Sequence, residues 1–172
     1  EDGGDRGMLP GSEVFAGLLG EAGIEREDRI VAYDDDHGVF AARVLVTAQL
    51  YGHPPDQLHL LNGDYSAWMR EHEVTTEVPD VDASAYEVVE PEESPLIERA
   101  GVEAALEDPE AVIVDTREEW EYEKGHIPGA IRLDWRELVD EESRGLLGRA
   151  ELIGVLDDHG ITSDRRIVLY CN

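Results

Sequence analysis

A twelve-residue pattern occurs twice in this chain. Gly23 to Asp34 reads GIEREDRIVAYD, and Gly160 to Cys171 reads GITSDRRIVLYC, aligned without gaps at an offset of 137 with six of twelve positions identical. Upstream, Phe15, Leu18 and Leu19 match Leu152, Val155 and Leu156. Each copy predicts a helix, a glycine stop, a polar turn and a buried strand. Together they predict a duplicated unit. Further short apolar runs stand at Leu58 to Leu61, Ala111 to Val114 and Ile131 to Leu133. Helical patterns lie between them: Phe40 to Leu50, with few polar positions and therefore expected to be largely buried, then Tyr65 to Glu71, Val102 to Leu106, Glu118 to Lys124 and Arg149 to Asp158. Strands alternating with helices predict an α/β fold with parallel sheets.

One stretch interrupts this order. Pro79 to Pro95 has three prolines, six acidic residues and no basic one, and predicts an extended, solvated linker. It separates a first segment, 1–78, from a second, 96–172. The net charge of -27 excludes polyanionic partners, because nucleic acid is held by basic side chains. No apolar run is long enough to span a membrane. Only Lys124 is lysine; the other 13 basic residues are arginine. A folded, acidic, nearly lysine-free chain fits a protein adapted to concentrated salt, where screening lengths shrink to about 3 Å. The single cysteine, Cys171, excludes an internal disulfide and fits a reducing, cytoplasmic setting.

The two copies end differently, on Asp34 and on Cys171. A residue at the carboxyl end of a parallel strand sits where α/β folds bind ligands. Backbone N–H groups of a following loop and helix would stabilise a thiolate there. A carboxylate in that place would satisfy those donors itself and repel an anion. Copy one thus reads as silent and copy two as active. From position alone Cys171 fits an inert buried thiol equally well.

The motifs then resemble a known family. Val114-Asp115-Thr116-Arg117, Glu121-Tyr122, the loop Gly125-His126-Ile127-Pro128-Gly129-Ala130 and the strand ending Tyr170-Cys171 resemble rhodanese domains in order and spacing. Phe40 to Arg43, Leu60 to Asp64 and Trp68 resemble later parts of the same domain. The resemblance implies a rhodanese-like, three-layer parallel α/β sheet with helices on both faces, in tandem. Residues 1–78 would be the later part of an inactive domain, and 96–172 the earlier part of a catalytic one. Both copies are then incomplete: the chain reads as an internal piece of a longer protein, or as one whose site a complementing fragment or a swapped dimer would finish.

By the same resemblance the chain is a thiosulfate sulfurtransferase working through a Cys171 persulfide, with mercaptopyruvate as the other candidate donor. Its partners would be a small anionic sulfur donor and a thiophilic acceptor, cyanide or a thiol. No cofactor and no metal is implied. Arg117 and Asp115 would support the site, Trp135 would stand near the pocket, Asn172 would begin the active loop, and His126 would belong to a structural turn. Three rivals remain open. One is a Cdc25-like cysteine phosphatase, which the loop after Cys171 would discriminate. Another is a non-catalytic regulatory module. The third starts from Asp34-Asp35-Asp36, which imitates the nucleophile motif of haloacid-dehalogenase-type phosphotransferases but has Gly38 where that motif wants Thr or Val.

Overall fold

The computed structural model of the chain describes residues 8–89, 91 and 94–171. It divides into two compact units, Glu1–Pro95 and Leu96–Asn172. Both are α/β with parallel strands.

The first unit runs α1 (Ser12–Glu21), β1 (Ile30–Ala32), α2 (Val39–Leu50), a 3-10 turn (Pro55–Gln57), β2 (Leu58–Leu60) and α3 (Asp64–Trp68). β1 and β2 pair in parallel, with Ile30 opposite Leu58 and Ala32 opposite Leu60. Phe15 and Leu19 of α1 pack with Ala48 of α2 to form the core. Two expectations fail here. α2 is not largely buried: Phe40 is 61% exposed and Val46 54%. Nor is β1 buried, since Val31 is 54% exposed. A two-stranded sheet is too narrow to cover more than one stripe of a helix or both faces of a strand.

The acidic stretch after residue 79 also departs from expectation. It is extended, but it packs on its own unit. Tyr86 is buried and joins the Phe15–Leu19–Ala48 core. The Tyr86 hydroxyl meets Nδ1 of buried His53 at 3.0 Å, whose Nε2 lies 2.9 Å from the Asp28 carbonyl. Ser84 N–H donates to the Gly20 carbonyl and Val89 N–H to that of Tyr51. Composition described the solvated side chains correctly, but Tyr86 with its buried polar partner, and the backbone bonds of Ser84 and Val89, hold residues 84–89 to the unit.

The second unit runs α4 (Arg99–Leu106), β3 (Ala111–Asp115), α5 (Glu119–Lys124), β4 (Ile131–Arg132), a 3-10 turn (Trp135–Leu138), α6 (Arg149–Asp158) and β5 (Arg166–Tyr170). All strands are parallel in the order β4-β3-β5, so β3 is central. Alternation along β3 builds two cores. Ile113 points to Ala105 of α4 and to Val168, while Val112 and Val114 point to Leu133, Ile161 and the α6 side chains Val155 and Leu156. Helices therefore cover both faces, giving three layers. On β5 only Val168 is buried, and Leu169 is 64% exposed, because β5 lies at the sheet edge. No described helix is long and apolar enough to cross a membrane.

Candidate active site at the carboxyl edge of the second sheet

β3 ends on Asp115, whose side chain is fully buried. A buried carboxylate must be paired and hydrogen-bonded. Arg117, two residues on, turns back on it: Nε lies 2.9 Å from Oδ1 and Nη2 2.6 Å from Oδ2, and the Arg117 N–H donates to Oδ1 at 3.0 Å. The Tyr170 hydroxyl donates to Oδ2 at 2.5 Å. Burial alone would raise the Asp115 pKa. The Arg117 guanidinium, the Tyr170 hydroxyl and the Arg117 N–H outweigh it and hold the carboxyl at about 2. The hydrogen bond to Asp115 in turn holds Arg117 above its ordinary range. Burial, followed by the bond to Asp115, raises the Tyr170 phenol.

The loop after α5 closes on the same cluster. Arg117 Nη2 also donates to the Gly125 carbonyl at 2.9 Å, and the Tyr170 hydroxyl accepts the Ile127 N–H at 3.1 Å. Tyr122 donates to the Ala130 carbonyl at 2.7 Å. Gly129 has φ +83, a conformation that a side chain would strain. His126 stacks on Tyr122 at 3.6 Å between ring centroids and places Nδ1 2.9 Å from the Tyr122 carbonyl, so it caps α5 as a structural turn residue. An open cleft of about 390 Å³ lies against Arg117, Gly125, His126, Ile127 and Tyr170.

Cys171 follows β5 directly, one residue past the pairing of Tyr170 with Asp115. It is exposed among the described residues. Asp115, Arg117 and the base of Cys171 therefore meet at one end of the sheet. Trp135 opens the 3-10 turn that follows β4, on the other side of β3 from β5. Asn172 lies outside the described residues.

The structure gives roles to residues that the sequence analysis had named only within motifs or not at all. Tyr170 ties Asp115 to the loop at 125–130. Thr116 donates from both N–H (3.0 Å) and Oγ1 (3.1 Å) to the Tyr170 carbonyl. Asp134 and Arg136 repeat the clasp of Asp115 and Arg117: Nη2 to Oδ2 is 2.6 Å and N–H to Oδ1 is 3.0 Å. The D-x-R spacing in Asp134-Trp135-Arg136 was the available signal.

The first unit holds the counterpart. Asp34 follows β1, and its Oδ1 accepts N–H groups from Asp36 and Gly38 at 2.8 Å while Oδ2 accepts that of Ala41 at 2.9 Å. Gly38 has φ +87, and a Cβ there would press on Leu60 at 3.2 Å. Burial pushes the Asp34 carboxyl up, but these backbone donors prevail and lower it. Both carboxylate oxygens are thus engaged by the loop and the first turn of α2. That leaves no support for Asp34 as the nucleophile of a haloacid-dehalogenase-type site.

Comparison with known proteins agrees with this geometry. The model of the rhodanese-like domain family matches residues 98–172. A thiosulfate sulfurtransferase of Pseudomonas aeruginosa is 31% identical over 174 residues, covering 96% of this chain and 63% of the relative. That of Azotobacter vinelandii is 32% identical over 173 residues, with the same 96% and 63% coverage. Among solved structures, the 3-mercaptopyruvate sulfotransferase SseA from Escherichia coli matches with a TM-score of 0.78 and 26% identity, over 94% of this chain and 63% of that one. The chain spans a little under two thirds of the length of these relatives.

Proposed function

We propose, on the premise that residues 98–172 belong to the rhodanese-like domain family, that this chain is part of a sulfurtransferase whose nucleophile is Cys171. The observation that carries the reading is the placement of Cys171 directly after β5, beside the buried end of the central strand. The Cys171 thiolate attacks the outer sulfur of thiosulfate. A new S–S bond forms to Cys171, the bond between outer and central sulfur breaks, and sulfite leaves with the electron pair. Cyanide or a thiol then attacks the terminal sulfur of the persulfide and restores the thiolate. Arg117 positions the strand end and carries little free charge, since Asp115 neutralises it at 2.6 Å. The dianionic donor would then be held mainly by backbone N–H groups beside the thiol.

Mercaptopyruvate is the second candidate donor, favoured by the likeness to the Escherichia coli 3-mercaptopyruvate sulfotransferase. We assign the first unit the role of a silent duplicate, with Asp34 in the place of the thiol. The acidic, lysine-poor surface fits a cytoplasm rich in salt. The test is steady-state kinetics of the full-length protein in concentrated KCl with thiosulfate and cyanide. Parallel double-reciprocal lines and release of one sulfite per thiocyanate are expected. Hydrolysis of a phosphoester without sulfite release would overturn the reading in favour of the cysteine phosphatase.

A further inference from the structure

We infer that Tyr170 is the positioning residue of the Cys171 site, holding the strand end that delivers the thiol through both its carbonyl and its phenol. The inference rests on the proposed role of Cys171.

The carbonyl of Tyr170 belongs to the peptide plane that leads into Cys171. That carbonyl accepts two hydrogen bonds from Thr116, from N–H at 3.0 Å and from Oγ1 at 3.1 Å. A peptide unit is planar, so fixing the carbonyl also fixes the direction of the Cys171 N–H and restricts the Cys171 Cα. The side chain then fixes the other end of the residue. Asp115 is ionised and can only accept, so the phenol donates to it at 2.5 Å and keeps its own lone pairs for the Ile127 N–H at 3.1 Å. The Arg117 guanidinium lies 5.6 Å from the ring centroid. One residue is thereby joined to the end of β3, to the loop at 125–130 and to Thr116.

The first unit offers a contrast. Tyr33 occupies the same place in the repeat, before Asp34. It is 59% exposed and stacks on Tyr65, with ring centroids 6.2 Å apart.

The test compares Tyr170→Phe, Thr116→Val, Thr116→Ser and Val168→Ala in the full-length protein. It measures kcat and KM for thiosulfate, the pH profile of Cys171 alkylation by iodoacetamide, and thermal stability. Tyr170→Phe should lower kcat about tenfold or more while KM changes little, because small misplacements of a reacting atom are costly. It should also alter the alkylation profile. Thr116→Val should lower kcat, and Thr116→Ser should restore it. Val168→Ala, a cavity in the same strand, should lose stability but keep kcat. Wild-type kcat and alkylation in Tyr170→Phe would overturn the inference. So would a loss of kcat in Val168→Ala matching that in Tyr170→Phe. If the wild type transfers no sulfur yet Tyr170→Phe still alters Cys171 alkylation, the sulfurtransferase reading falls and the positioning role stands.

Discussion

Asp34 and Cys171 end the same sequence pattern in two units of one chain, and each stands just beyond a parallel strand. In the first unit the side chain is itself the anion that the loop binds: three backbone N–H groups converge on the Asp34 carboxylate within 2.9 Å. In the second unit the anchoring lies behind the residue rather than on it. Asp115, Arg117, Thr116 and Tyr170 fix the strand end, and the thiol itself is exposed. A carboxylate that satisfies its own cradle leaves nothing for a substrate to bind. The two strand ends thus differ in kind: a carboxylate engaged by its own loop, and a thiol that follows a clasped strand.

The difference can be broken by mutation. The largest effect is expected on activity: Cys171→Ser should reduce sulfite release by at least about a thousandfold, whereas Asp34→Ala should leave it within about twofold. Comparable losses in the two variants, followed by sulfite release, would erase the contrast. Next comes Asp115→Ala, which removes a buried charge from under Arg117 and should destabilise the second unit by about 3–5 kcal/mol. Chemical denaturation monitored by the tryptophans of that unit would measure it.

Acid sharpens the same point. The folded pKa of Asp115 is about 2 against an ordinary 3.8, so its stabilisation is fully present above about pH 4 and is lost as pH falls toward 2. That amounts to about 2 kcal/mol. An acid titration of stability should lose this component in the Asp115→Asn variant and keep it in the wild type. The smallest effect belongs to Asp34→Ala, which frees the N–H groups at the start of α2 and should cost about 1 kcal/mol in the first unit.

Much of this was legible in the sequence. The helix Arg149–Asp158 was read to its boundaries, and the strands at 111–115 and 166–170 to within a residue, because apolar runs bounded by Gly, Asp and Pro carry strong local signals. The engagement of Asp34 by its own loop also followed from position and charge. Exposure was not legible. Val31 and Leu169 are as apolar as Val114, yet they are exposed, because burial depends on which neighbours a sheet supplies. Nor did the acidic stretch reveal that Tyr86 would anchor it through His53, a partner 33 residues away. The D-x-R motif carried a similar ambiguity. Asp134 and Arg136 form the same clasp after β4 as Asp115 and Arg117 do after β3, so the clasp is a device for ending strands. The site proposed for the second unit is set apart by Cys171 after β5, a residue that the D-x-R spacing does not point to.

The most direct test of the central claim is peptide mass. The full-length protein is incubated with thiosulfate, quenched without reductant and digested. The account predicts a gain of one sulfur atom, about 32 Da, on the peptide containing Cys171, reversed by cyanide. Release of sulfite with no mass gain on that peptide would contradict it.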